Sequence, residues 1–254
     1  MALKVQPRPP RPAMTSPFAR PSPGPSPQRI LVYTLLSLLL ILAWDFGGLD
    51  MAMAHWFGGP DGFPRRDHWL YSTVLHEGAR RLSWLLVLWL SLAVWWPLGV
   101  LRQLDRWQRL QLVVSILVGL AVVVTIKRIS STSCPWDLAE FGGLARYVSH
   151  WRFGLADGGG AHCFPAGHAS AGFAFVSGYF VLYDRAPRAA RLWLAAALAV
   201  GLVLGVSQQV RGAHFMSHTL WTAWLCWTVA WACHSLVITW RLRSGEKRSS
   251  HVVA

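Results

Sequence analysis

Six apolar stretches, each bounded by charge, constrain this chain more than any other feature. A bilayer crossing takes about 20 predominantly apolar residues, in a range of roughly 17–25. The stretches fall near Ile30–Phe46, Leu82–Val100, Leu110–Ile126, His168–Leu182, Leu192–Ser207 and Ser217–Trp240. The fourth and fifth are short, and their ends are expected to reach into the flanking loops. The chain therefore reads as all-α, an integral membrane six-helix bundle over residues 30–240. Apolar residues make up 54% of its 254 positions and charged ones 14%, which leaves little room for a separate soluble domain.

Residues 1–29 hold many prolines and several arginines without a long apolar run, the composition of a disordered tail. Residues 241–254 read as a second tail. No small-residue cleavage site follows the first apolar run, so that run is expected to stay as an anchor. The net charge of +13 is compatible with nucleic acid in size but not in distribution. Basic residues punctuate the apolar runs and form no stripe with interleaved aromatics, which argues against a nucleic-acid partner. With the N-terminus inside, fifteen of the 24 Lys and Arg fall on inner segments, among them Arg102, Arg106 and Arg109, and Arg185, Arg188 and Arg191. The positive-inside rule then makes both tails cytoplasmic and puts Lys127, His168 and His214 on the outer face, which in a bacterium is periplasmic.

Two outer segments are long. Gly47–Arg81 mixes aromatics with Gly and Pro, as either an interfacial amphipathic helix or gate, or an ordered loop. Arg128–Gly167 carries Cys134 and Cys163 on a face where oxidation is permitted; a disulfide and two free thiols both fit. Cys226 and Cys233 lie within the last apolar run and read as packing residues.

Polar groups at membrane depth need partners or a function. Taken alone, Lys127 and Arg128 at the end of the third run read as snorkelling side chains. Pro165-Ala166-Gly167-His168 opens the fourth run. Pro suits a first helical turn, Gly167 permits close approach of a ligand, the free amides of that turn suit an anion, and His168 can donate a proton. Arg211, His214 and His218 are spaced three and four apart, so a continuous helix would put them on one face, although Gly212 allows a break. An arginine fork suits phosphate oxygens, a neutral imidazole can attack phosphorus, and a group on its other nitrogen would fix the tautomer. His162, His168, His214 and His218 also form a conceivable metal cluster.

Together these motifs resemble the type 2 phosphatidic acid phosphatase superfamily, whose pattern is Lys, six residues, Arg-Pro; Pro-Ser-Gly-His; and Ser-Arg, five residues, His, three residues, Asp. Here the first motif is Lys127 to Cys134-Pro135, the second Pro165-Ala166-Gly167-His168, and the third Ser207-Gln208 to His214 and His218. Order and spacing are kept. Cys134 and Gln208 replace arginines, Ala166 a serine, and His218 the carboxylate that orients the nucleophile.

The resemblance implies an enzyme that hydrolyses a phosphoric monoester or pyrophosphate on a lipid through a phosphohistidine. In that scheme His214 is the nucleophile, His168 the general acid, and His218 the orienting group. Lys127, Arg211, Arg128 and Gly167 hold the phosphate, with Arg211 standing in for the arginine lost at Gln208. Asp137 is expected to supply a carboxylate if its loop folds inward. No metal and no cofactor is implied. The expected partners are a lipid phosphate and the surrounding membrane lipids, at the outer face of the bacterial inner membrane. A lipid phosphotransferase is a close variant. The rival reading is a catalytically degraded lipid-binding protein on the same fold.

Overall fold

The computed structural model describes residues 26–252, so most of the expected tail over 1–29 lies outside the described residues. The described chain is helical and contains no strand, only two isolated bridges. Four helices are long and apolar enough to cross a membrane: α1 (Pro27–Phe46), α4 (Arg106–Ile129), α7 (Pro187–Val210) and α8 (Met216–Val252). Between them lie α2 (Leu49–Ala54), α3 (Ala79–Leu92), α5 (Ser170–Phe173) and α6 (Ser177–Leu182).

Local chemistry sets most of these ends. Ser26 accepts a hydrogen bond from the Arg29 amide ahead of Pro27, which suits a first turn. Asp105 and Gln108 bond each other's backbone amides at 2.8 and 3.0 Å, a capping box at the head of α4. The second apolar run differs from expectation. Its helix α3 stops at Leu92, well before Val100, and continues backward into a π-helix, Leu70–Gly78. The fourth run is also interrupted, with a 3₁₀ turn over Ala174–Val176 between α5 and α6. α8 runs on past Trp240 through Val252, so the expected second tail begins as helix.

Apolar faces divide between protein and surroundings. Leu31, Leu35, Leu36, Leu39 and Leu40 of α1 are exposed, as are Leu82, Leu85 and Leu88 of α3, an arrangement that suits lipid rather than water. Inside, Leu112, Ile116 and Val123 of α4 pack with Phe173, Val176, Leu182, Cys226 and Ala230. Hydrogen bonds tie the bundle where water is scarce. Trp227 Nε1 donates to Thr34 Oγ1 at 2.8 Å, Trp193 Nε1 to the Phe175 carbonyl at 2.7 Å, and Ser83 Oγ to the Ala171 carbonyl at 2.9 Å. Helices α5 and α7 touch backbone to backbone at Gly172 and Gly201, where any Cβ would collide.

A second, smaller core sits at the site end of the bundle. Ala54, Phe63, Leu138, Phe141, Ala145 and Phe215 form it, drawing together the two long segments. The segment after α2 is thus an ordered cover that ends in the π-helix.

Candidate active site

The C-terminal ends of α4 and α7, the π-helix and the loop before α5 surround one cavity of about 600 Å³. Lys127, Gly167, His168, Gln208, Arg211 and His214 line it. Residues scattered over nearly ninety positions therefore meet at one place. Arg128 does not: it is exposed on the last turn of α4 and lies outside the lining.

Loop chemistry brings the pieces into register. Cys134 and Cys163 form a disulfide across 29 positions. Beside it, buried Asp157 accepts from the Ser133 amide at 2.7 Å, Ser133 Oγ at 2.6 Å and the Gly159 amide at 3.0 Å. The Cys163 amide donates to the Thr132 carbonyl, and the Ala166 amide to the His218 carbonyl at 3.2 Å. The segment Pro165–His168 is thereby pinned to α8. Gly167 lies against the Lys127 stem, and a Cβ there would stand 3.3 Å from Lys127 Cδ. Its smallness lets the lysine reach the cavity.

Arg211, His214 and His218 are not on one continuous helix. α7 ends at Val210, and Gly212 takes φ +74°, a left-handed turn that suits glycine. The same glycine receives the Phe63 ring, which any Cβ would strike, and its carbonyl accepts from the Trp136 amide at 2.9 Å. Asp50 accepts from the Ser217 amide at 2.9 Å and from the Ser217 hydroxyl, satisfying the start of α8. The turn carries His214 to the cavity while His218 stays behind it, only 1% exposed.

The contacts of His214 bear on its tautomer. His214 Nδ1 is 3.5 Å from His218 Nδ1 and 3.5 Å from Cys163 Sγ. A disulfide sulfur has no proton to give, so the contact with Cys163 Sγ favours the tautomer with the hydrogen on Nδ1 and the lone pair on Nε2, while the His218 Nδ1 contact fits either direction. Burial, and next the Lys127 charge, holds the His214 imidazolium well below the ordinary range. The ring is therefore neutral and nucleophilic at neutral pH. His218 in turn is caged edge-on by His150, Phe164 and Phe215.

On the opposite wall, His168 Nε2 donates to the Leu75 carbonyl at 2.7 Å, because that oxygen can only accept. Nδ1 is the nitrogen left for proton exchange. Burial pushes this imidazole down to about 4 from its ordinary 6.5, against the opposing Leu75 hydrogen bond. Bound phosphate, an anion beside it, would raise it again. Arg211 is held from two sides: Nε donates to the Arg66 carbonyl at 2.8 Å and a terminal nitrogen to Gln208 Oε1 at 3.2 Å. Gln208 thus holds the arginine in the cavity that both residues line.

Asp137 stays on its own turn, accepting from the Cys134 amide at 3.2 Å, and makes no hydrogen bond to either histidine. The expected inward carboxylate is not delivered by this loop. Asp45 reaches that aromatic cage, accepting from Trp221 Nε1 at 2.9 Å and facing His150 at 3.3 Å. Cys163, His214 and His218 bring metal-type donor atoms within 4.8 Å of one another, but the disulfide removes the thiolate such a site needs.

Among the further lining residues that sequence reasoning missed are His76, Arg80 and Trp136. His76 stacks on His168 with ring centroids 4.4 Å apart. Nothing in the mixed segment before α3 marks it out, since no periodicity or motif surrounds it.

The model of the PAP2 superfamily matches residues 108–242, more than half of the chain. The protein belongs to that superfamily, the type 2 phosphatidic acid phosphatases. No match was found among curated proteins or among solved structures. Membership supports a phosphatase kind of activity on lipid-type phosphates, and the apolar helices agree with association with a membrane.

Proposed function

We propose that the protein is a six-span membrane enzyme that hydrolyses a phosphoric monoester or pyrophosphate on a lipid, through a phosphohistidine intermediate. The observation that carries this reading is the single cavity in which Lys127, His168, Arg211 and His214 converge. His214 Nε2 attacks phosphorus in line. Lys127 and Arg211 neutralise the non-bridging oxygens, an electrostatic role that accounts for most of such catalysis. His168 protonates the leaving oxygen from Nδ1 while Leu75 holds its other nitrogen. His218 orients His214 in place of a carboxylate. Water then releases phosphate.

An adjoining apolar groove of about 280 Å³ supports a lipid as substrate. It shares Ser83, Ala171 and Phe175 with the cavity and continues along Leu82, Leu86 and Leu204. Crossings by α1, α3, α4, α5–α6, α7 and α8 would place both termini in the cytoplasm and the cavity at the outer face of a bacterial inner membrane. The test is phosphate release from a panel of lipid phosphates by purified protein, with His214→Ala as control. Release that survives in the control sinks the mechanism; none from the wild-type protein leaves a lipid-binding relative that has lost catalysis.

A further inference from the structure

Two stacked imidazoles on one wall raise a question of division of labour. His168 and His76 lie ring on ring at 22°, and stacked faces cannot hydrogen-bond to each other, so each exchanges protons separately. Their outer partners differ. His168 Nε2 meets the Leu75 carbonyl, a neutral acceptor. His76 Nδ1 is 3.1 Å from Glu77 Oε1, and Glu77 is held in turn by Arg80 at 2.7 Å. A carboxylate can only accept, so His76 carries its hydrogen on Nδ1. Its Nε2 makes no hydrogen bond within the described residues. The host segment is a π-helix, a geometry often found where side chains are re-aimed at functional sites.

Resting on the phosphohistidine reading above, we propose that His76 is a further catalytic residue, the base that takes the proton of the water that cleaves phosphoryl-His214, with Glu77 as its positioning residue. The water oxygen bonds to phosphorus as the bond between phosphorus and His214 Nε2 breaks, and that electron pair returns to Nε2. One water proton passes to His76 Nε2, giving an imidazolium that Glu77 stabilises. Inorganic phosphate leaves, and the proton then passes to bulk water at the cavity mouth. The pairing splits two like groups into acid and base by environment. His168, pushed down to about 4, is a strong donor once charged and a weak base afterwards. His76 is lowered by burial and by Arg211, but Glu77 works against both. The charged and titratable groups facing it are His168, Glu77, Arg80, Arg211, Lys127 and His214.

The experiment uses full-length protein in detergent micelles with phosphatidic acid labelled in its phosphate, stopped in alkaline detergent, where phosphohistidine survives. His76→Gln should slow turnover by about 100-fold, the scale of general base catalysis, while label on the protein rises. Turnover within twofold of wild type, or slow turnover without more label, overturns the assignment. Glu77→Gln keeps the ring in place and guards against a folding failure. Loss of the carboxylate should move the acidic limb of the dephosphorylation rate to lower pH, because the imidazole loses its anion. An unmoved limb counts against the proposal. A wild-type protein that neither takes label nor releases phosphate, from phosphatidic acid or from any other lipid phosphate of the panel, overturns the phosphohistidine reading itself, and the base with it.

Discussion

The two walls of the cavity are built on opposite principles. His214, His218 and Cys163 form a closed wall, buried, tied by a disulfide and in contact through the Nδ1 atoms of the two histidines. His76, Arg80 and Arg211 form an open wall, partly exposed and carrying the charge. The difference follows from what each group must be. A neutral imidazole gains nucleophilicity in a dry site, whereas a bare guanidinium there would cost several kcal/mol in desolvation. The histidine proposed as nucleophile is thus kept dry, and Arg80 and Arg211 stand at the water's edge.

The largest effect is expected from the open wall. Arg211→Lys should lose about 2–4 kcal/mol of transition-state binding, because a point charge cannot reproduce a fork held by Arg66 and Gln208. Arg211→Ala with near-normal turnover on a lipid phosphate would reduce that wall to scenery. Next comes the closed wall. Replacing both Cys134 and Cys163 by Ser should lower stability by about 3 kcal/mol, read as a fall in the melting midpoint, and should slow phosphoenzyme formation more than its breakdown. An equal slowing of both steps would mean that the bridge supports the fold and not the nucleophile.

The third effect is pH-dependent. His168 has its folded value depressed to about 4 from 6.5, so the unfolded chain takes up a proton first as pH falls. Its contribution to stability is complete above 6.5 and is lost between there and about 4. The melting midpoint should decline across that window, and His168→Asn should make the decline shallower, with His214 still contributing. The smallest effect belongs to the junction between the walls. Gly167→Ala puts a Cβ against the Lys127 stem, whose flexible end can yield, so turnover should drop only several-fold with little change in melting. A loss as large as that of Arg211→Lys would make the lysine as finely placed as the arginine.

Much of this was legible in the chain. Apolar runs located α1, α4, α7 and α8 because hydrocarbon demands length and little else. Motif spacing marked Lys127, Gly167, His168 and His214, since each sits at a helix end whose position the runs already fix. Arg211 was legible as the lone cation of its stretch. The sequence could not say that His214 leaves the helical face of Arg211, because a left-handed turn at Gly212 depends on Phe63 from a distant segment. Nor could it place Asp137, whose carboxylate was free to point anywhere until the 3₁₀ turn claimed it. His76 and Glu77 were invisible for the same reason. What sequence determined here is what local composition and the bilayer impose: which segments are buried, and what stands at their mouths. Tertiary structure alone decided which mouths meet, which nitrogen of each histidine is free, and which carboxylate reaches it, because those choices turn on contacts a few ångströms wide between residues up to 193 positions apart.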